Sequence, residues 1–407
     1  MIRGWHLLPM AGLGVAIGIG AAVAARQGKP PDPEEYRARS KSFSERMEAK
    51  GLAEPFKGIT TDGRAIPDLF PIRATGVSTG PVRESAEQFL ATLTADQRQT
   101  ILFPVDDVEW RKWANQHIYY REGLSFEDMT LPQRTSAFGM LGASLSAKGL
   151  TLTRDIMRLN TTLAELNQNN FVEYGEWKYS ISIMGEPSET EPWGWQLDGH
   201  HLNVNYFVLG DQVVMTPAFW GSEPAVARSG KYAGTEILID EQRRGLTLVR
   251  SLDESQRRTA ILEVRKTGNN ILAQAFSDNV VIEYAGVRAS SFTDAQKTLL
   301  LDVIGLYVGN MRQGHAKVRM SEVAAHLNDT YFAWIGETAD DSVYYYRIQS
   351  PVILIEFDHQ TPVGLRHVYT PGVPNKEHIH AVVRTPNGND YGKDLLRQHY
   401  EQHPHPH

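Results

Sequence analysis

The sequence has no cysteine among its 407 residues. This absence excludes disulfide frameworks, thiol nucleophiles, cysteine-ligated zinc and iron–sulfur clusters. A large excess of one charge is also missing, because 41 Lys and Arg stand against 48 Asp and Glu, a net charge of −7. This mild acidic balance gives no electrostatic footprint for nucleic acid or for an anionic membrane surface, so we expect neither as a partner.

Several catalytic signatures are missing as well. The sequence contains no G-x-S-x-G elbow, no H-E-x-x-H, no P-loop and no dinucleotide-binding G-x-G-x-x-G before a helix. A covalent hydrolase is therefore disfavoured. With 41% hydrophobic residues the chain can bury a large core, and its 14 histidines make imidazole the most abundant special chemistry.

The first 25 residues have the pattern of an export segment. Arg3 supplies the positive charge, residues 7–23 are apolar, and small residues at 22–24 resemble an A-x-A cleavage site. Residues 1–25 are thus predicted to be a cleaved signal peptide or an uncleaved membrane anchor, and the body of the protein to be periplasmic or secreted. Residues 26–79 are predicted to form a linker and a polar helix.

The chain shows internal similarity. Four segments begin with a Thr or Asp followed three residues later by Gln, which is the capping-box pattern at the start of a helix, and continue as an apolar helical run. The four boxes are Thr94–Gln97, Thr130–Gln133, Asp253–Gln256 and Thr293–Gln296. A β segment follows each pair of helices, at 179–207 and 330–358. One constant spacing matches Trp195 to Tyr346, Leu197 to Ile348 and Val204 to Ile355.

These patterns predict an α+β fold built from two similar halves, each a helix pair followed by an antiparallel hairpin. The halves span 80–240 and 241–370, a strand–turn–helix unit spans 371–402, and the His/Pro tail 403–407 is predicted to be disordered. The alternative is ordinary alternation of helices and strands with coincidental turns.

Polar residues lie on one face of the equivalent strands in both halves. A period of two puts His201, Asn203 and Asn205 on one face and His200 on the other. The matching spacing aligns Asn205 with Glu356 and Phe207 with Asp358. These groups either converge on one cleft, with Glu356 or Asp358 as a general base, or they belong to a solvated face of the sheet.

The segment 377–380, Glu-His-Ile-His, contains two histidines that project from one face of a strand. Such a pair can bind one metal ion, and His359 and the pair His200–His201 are candidates for further ligands. Zinc is the default ion for an imidazole-rich site, while copper or iron fits the same ligands. The alternative is that these histidines are surface or core residues without a metal.

Arg384 follows on the same predicted strand and precedes the turn at 386–389. Its forked guanidinium suits a carboxylate or a phosphate, so Arg384 is a candidate for orienting an anionic substrate at the rim of the site. The alternative for the residues after it is a plain turn in which Asn389 or Asp390 caps the last helix.

Three segments resemble a known family. They are 191–207 (EPWGWQLDGHHLNVNYF), 351–360 (PVILIEFDHQ) and 378–400 (HIHAVVRTPNGNDYGKDLLRQHY). Together they resemble a family of exported bacterial and fungal proteins catalogued as a domain of unknown function, number thirty-five hundred. The resemblance spans roughly residues 80–400 and implies one family-wide unit, but it implies no activity.

From the residues we therefore expect an exported metal-dependent hydrolase acting on a small-molecule substrate. His378 and His380, with His201 or His359, would hold the ion, whose bound water would be the nucleophile. A copper- or iron-dependent oxidoreductase is the alternative enzyme. A non-catalytic periplasmic binding or structural protein is the alternative of a different class.

Overall fold

The computed structural model describes residues 30–403, so the predicted export segment and most of the His/Pro tail lie outside the described residues. Within that range the fold is mixed α+β. No helix between residues 30 and 403 combines the length and the apolar character needed to cross a bilayer. The ten helices of this range are α1 (Pro33–Gly51), α2 (Gly80–Ala91), α3 (Ala95–Ile101), α4 (Leu131–Ser144), α5 (Ala147–Leu166), α6 (Ile239–Ser251), α7 (Glu254–Ala260), α8 (Asp294–Val308), α9 (Gln313–Ala325) and α10 (Lys393–Gln402).

All strands of the described range belong to one open mixed sheet. They are β1 (Leu102–Phe103), β2 (Leu124–Ser125), β3 (Tyr179–Met184), β4 (Trp193–Gly199), β5 (Leu202–Leu209), β6 (Gln212–Val214), β7 (Ala218–Ser222), β8 (Ile261–Glu263), β9 (Val287–Arg288), β10 (Tyr331–Gly336), β11 (Tyr344–Gln349), β12 (Leu354–His359) and β13 (Ile379–Arg384). The strand order is β1-β3-β4-β5-β7-β13-β12-β11-β10-β8, with β2 on β3, β6 on β5 and β9 on β10. Only β1 with β3 and β8 with β10 pair in parallel. The centre of the sheet is the antiparallel pair β7–β13.

The four predicted capping boxes are all present, at the starts of α3, α4, α7 and α8. Their glutamines also bind each other in pairs. Gln133 Nε2 donates to Gln97 Oε1 over 2.7 Å, and Gln296 Nε2 donates to Gln256 Oε1 over 2.8 Å. Each glutamine therefore closes its own helix start and joins it to that of a neighbouring helix.

The strand registers at the two ends of the sheet correspond. Trp195 on β4 lies opposite Ile183 and Tyr206, and Tyr346 on β11 lies opposite Trp334 and Phe357. A short parallel strand pairs with the outer strand at each end: β1 pairs with β3, and β8 pairs with β10. A second short strand pairs antiparallel with the same outer strand: β2 with β3, and β9 with β10.

Both faces of the sheet are covered. One face carries aliphatic and aromatic side chains such as Leu197 and Ile348, which pack against the helices in a large core. The other carries a smaller apolar cluster that includes Phe219 and Val382. Asn203 and Asn205 are fully buried, so the predicted solvated face is wrong. Their amides instead form a ladder in which Gln196 Nε2 donates to Asn205 Oδ1 and Asn205 Nδ2 donates to Asn203 Oδ1.

Candidate metal centre

Strand β13 is one of the two central strands of the sheet and positions two histidines. His378 immediately precedes the strand, and His380 lies on it opposite Gly221 of β7 and Asp358 of β12. Because side chains alternate along a strand, His378 and His380 project from the same face. A Cβ atom at Gly221 would stand 2.4 Å from the Ile379 oxygen and 3.2 Å from His380 Cδ2, so glycine leaves room for this ring.

His201 comes from a different part of the sheet. With His200 it forms the turn between β4 and β5 rather than the start of a strand, and its φ of 60° is in the left-handed region. The Asn115 carbonyl accepts from its backbone N–H, and its own carbonyl accepts from the N–H of Gly221. Left-handed backbone at a residue other than glycine costs of order 1 kcal/mol and occurs where the surroundings fix it, often at functional sites.

The three imidazoles meet through their Nε2 atoms. His201 Nε2 lies 3.1 Å from His378 Nε2, which lies 3.0 Å from His380 Nε2. Two ligand atoms about 2.0–2.1 Å from a tetrahedral zinc ion are roughly 3.3–3.4 Å apart. A small outward movement of the rings would therefore fit the ion. Among residues 30–403 these three histidines are the one group of His and carboxylate side chains with metal-binding spacing.

The charge state of the rings suits metal binding. Burial and then the neighbouring His378 ring hold the pKa of His201 well below its usual range. The pKa of His380 is lowered in the same direction by burial, His378 and His201. Neutral imidazole is the ligand form of histidine, so these two rings are ready to bind a cation without first losing a proton.

His378 is oriented through its second ring nitrogen. Its Nδ1–H donates to the Thr361 carbonyl over 2.7 Å, which leaves the Nε2 lone pair free to face the other two rings. Glu223 lies just beyond, with its Oε2 3.8 Å from His378 Nδ1. The carboxylate of Glu223 accepts from the backbone N–H groups of residues 363–365 and thereby holds the loop that carries Thr361. Such outer contacts orient metal ligands.

Glu223→Gln is expected to weaken zinc binding by about 10- to 100-fold, the usual effect of losing an outer partner of a ligand. The amide loses the charge that attracts three backbone N–H groups, so the loop and His378 lose their fixed position. A competition titration with a coloured chelator measures the affinity. Glu377→Gln is the matched control, since Glu377 is buried beside His378 but binds Arg228 and Val226 instead. Equal zinc affinity of Glu223→Gln and wild type would contradict the role of Glu223.

His200 lies beside the three histidines but outside their group. Its ring stacks on His201 with centroids 4.0 Å apart, and its Nδ1 donates to Asn160 Oδ1 over 2.8 Å. His117, which belongs to no recognisable sequence motif, packs edge-on against His200 with a centroid distance of 5.3 Å. Burial lowers its pKa to about 4. The centre is thus part of a cluster of five imidazoles.

His359 does not join this cluster. It alternates with Asp358 on β12 and so lies on the opposite face of the sheet, fully buried. Its Nδ1 accepts from the Tyr344 N–H and its Nε2 lies 3.0 Å from Gln242 Oε1. Both ring nitrogens are occupied by protein groups, so His359 is not placed to share an ion with His378, contrary to the prediction.

The two carboxylates predicted as bases are fully buried and engaged. Glu356 accepts from the N–H groups of Leu272 and Ala273 and from the Tyr345 hydroxyl. Asp358 Oδ1 lies 2.6 Å from Lys266 Nζ, and burial raises the pKa of Asp358 to about 7 despite that cation. Of the two, Asp358 is the one opposite His380 in the sheet.

Arg384 lies inside an ion network rather than at a rim. Its Nη2 lies 2.6 Å from Asp278 Oδ1, its Nε lies 2.7 Å from Asp390 Oδ2, and its Nη1 donates to the Ala273 carbonyl. The side chain has no exposed surface. Every nitrogen of the guanidinium is bound to protein, so this arrangement gives Arg384 a structural role instead of leaving a fork free for substrate.

The comparisons with known proteins place the chain in a family. A family model described as "Protein of unknown function (DUF3500)" matches residues 75–393, which is more than half of the chain. The chain belongs to the DUF3500 family. This confirms the resemblance expected from the three sequence segments. No curated protein and no solved structure matches the chain. The DUF3500 match includes every histidine of the five-imidazole cluster.

Proposed function

We propose that this DUF3500 protein is an exported metal-dependent hydrolase whose ion is held by His201, His378 and His380. The observation that carries the proposal is the convergence of three Nε2 atoms from separate parts of the sheet, two of them 3.0 Å and 3.1 Å from that of His378. Without an ion, the single lone pair on His378 Nε2 can accept a good hydrogen bond from only one of its two neighbouring rings, whereas a cation is bound by all three lone pairs.

His201, His378 and His380 would hold the ion, which when bound would supply an acidified water molecule as the nucleophile. The chain contributes the positions of the rings and a site with little water, since His201 and His378 are 6% and 2% exposed. Asp358, with a pKa of about 7, is the candidate base, and it would act from the neighbouring strand. The substrate is proposed to be a small molecule without a required negative charge, because Arg384 is occupied.

Copper is the second candidate ion, which would make the protein an oxidoreductase. The donor set is entirely imidazole, and copper accepts such ligands as readily as zinc. Iron is less well supported, since non-haem iron sites pair two histidines with a carboxylate ligand. The carboxylate of Glu223 lies near the ring of His378, but it faces Nδ1 rather than Nε2, the nitrogen that would bind the ion.

We further propose that the body of the protein arose by duplication, with halves at about 80–240 and 241–370. Supporting observations are the matching registers of β3–β5 and β10–β12 and the two glutamine pairs of the capping boxes. His201 of the first half and His380 of the C-terminal unit would then lie where the first half meets that unit, at the central pair β7–β13. Such a junction is a common place for a ligand site.

Metal analysis tests the proposed centre. Wild-type protein purified without a metal-affinity step is expected to carry, or to take up from zinc buffer, at least about one divalent ion per chain. His378→Ala/His380→Ala is expected to retain none, while His359→Gln keeps the ion because it lies on the other face. Circular dichroism verifies that each variant is folded. Wild-type protein that neither carries nor takes up an ion would overturn the proposal, and the identity of a retained ion separates hydrolase from oxidoreductase.

A further inference from the structure

The loop of residues 114–117, which precedes β2, packs on the His200–His201 turn and leaves several polar groups without protein partners. The Asn115 carbonyl accepts from the His201 N–H over 3.1 Å, which fixes the loop against the turn. The side-chain oxygen of Asn115 is buried and has no hydrogen-bond partner, although the residue is only 7% exposed. A buried, unpaired amide oxygen costs about 1–3 kcal/mol unless something else binds it.

His200 has the orientation that metal ligands show. Asn160 Nδ2 donates to the Gly175 carbonyl, which fixes the amide so that its oxygen accepts from His200 Nδ1–H. Consequently Nε2 of His200 carries a lone pair. This is the same arrangement that His378 makes with Thr361, yet His200 is not one of the three converging rings. Its orientation is unexplained by the centre already described.

His117 completes the group. Its ring lies 5.3 Å from that of His200 and 4.9 Å from that of Tyr174, and between residues 30 and 403 its only polar contact to protein is through the backbone carbonyl, which accepts from Tyr36. Both ring nitrogens are therefore available. The Arg121 guanidinium donates to the Ala114 and Gln116 carbonyls of the same loop and, with burial, helps to lower the pKa of His117 and His200, so a cation bound here would face this positive charge.

We propose that His117, His200 and Asn115 form a second divalent-cation position next to the three-histidine centre. The inference rests on the proposed function and deepens it, since the site would hold two ions. The rings of His200 and His201 stack with their centroids 4.0 Å apart, so an ion bound by His200 would be a close neighbour of the ion bound by His201. In two-metal sites the second ion stabilises the leaving oxygen while the first positions the attacking one.

The binding should be unequal. The first position has three imidazoles, whereas the second has two and an amide oxygen, so water or substrate must supply its remaining ligands. The second ion is therefore expected to bind more weakly and to be lost on dialysis. Harder cations such as manganese tolerate oxygen ligands better than copper does and are expected to discriminate less between the two positions.

Cobalt titration of metal-free full-length protein tests the inference, with visible absorbance and metal analysis as readouts. Wild type is expected to bind about two equivalents in two steps. His117→Phe keeps a ring against His200 and should bind only the tighter equivalent. Asn115→Leu should keep the second step but weaken it at least about tenfold. His326→Phe, which replaces the histidine that follows α9 and contacts the Glu322 carbonyl, is the matched control and should behave as wild type.

The outcomes separate this inference from the proposed function. A single equivalent in wild type that His117→Phe leaves unchanged would overturn the second position and keep the three-histidine centre. Loss of both equivalents in folded His117→Phe would also overturn a separate second position. No binding at all in wild type would overturn the proposed metal centre itself.

Discussion

Arg384→Met is expected to lower the free energy of unfolding by about 3–5 kcal/mol, the usual effect of removing one partner from a buried ion network. Arg384 stands between Asp278 and Asp390, and neither its side chain nor theirs has appreciable exposed surface. Methionine fills much of the space but leaves Asp390 without a cation. Asp278 keeps Arg111, whose Nε lies 2.8 Å from Asp278 Oδ2.

Urea denaturation measures this change, with Arg397→Met as the matched control. Arg397 also contacts two carboxylates, Asp394 and Glu401, but its side chain is 57% exposed. Surface pairs of this kind contribute about 0–1 kcal/mol. If both methionine variants lose the same small amount, the network around Arg384 does not stabilise the fold as its burial indicates.

The starts of the helices could be predicted from the sequence because they depend on neighbouring residues. A capping box needs only a side-chain oxygen and a glutamine three residues apart, and all four predicted boxes are present. The spacing that aligns Trp195 with Tyr346 also came from local patterns, and each of these residues lies on the middle one of three neighbouring strands. Local chemistry of this kind does not depend on how distant segments fold.

The environment of the polar strand residues could not be predicted in the same way. Whether Glu356 faces solvent, substrate or backbone depends on residues 272–273, which are remote in sequence and supply its N–H donors. Arg384 likewise meets Asp278, more than a hundred residues earlier in the chain. Strand alternation reveals which side chains share a face, but not which segment covers that face.

The positions of some histidines could be predicted from local spacing, whereas those of others depend on distant segments. The H-x-H spacing predicted that His378 and His380 share a face, and the same rule could have separated His359 from Asp358, its neighbour on the strand. The approach of His201 needed the central pairing of β7 with β13, which no sequence pattern indicated. His117 carried no signal at all, since it lies in a loop whose position depends on the Asn115 contact with His201.

Lys266→Met is expected to destabilise the protein by about 3–5 kcal/mol near pH 8 and by much less near pH 5. The ammonium of Lys266 lies 2.6 Å from Asp358 Oδ1, and neither side chain has exposed surface. Burial lowers the pKa of Lys266 and raises that of Asp358 to about 7, so the two charges coexist only because they face each other. Without the ammonium, Asp358 must be either ionised alone or protonated.

The sign of the pH dependence follows from the raised pKa of Asp358. A carboxyl whose folded-state pKa lies above its unfolded value of 3.8 binds its proton more tightly in the folded protein, so its contribution to stability falls as the pH rises towards 7. Removing Lys266 raises that pKa further, because the ammonium is the largest influence that lowers it. The loss in Lys266→Met therefore grows across this window, and near pH 5 the protonated acid needs no cation.

Urea denaturation at both pH values measures the free energy of unfolding of wild type and variant. Chelator in every sample ensures that metal binding does not contribute to the measured stability. The double variant Lys266→Met/Asp358→Asn has neither charge, and its amide can still accept from the Asn270 N–H that binds Asp358 Oδ2. It is expected to recover most of the stability lost near pH 8 and to show little pH dependence. A single variant equally unstable at both pH values would mean that the cost lies in packing around the lysine stem and not in the uncompensated carboxylate.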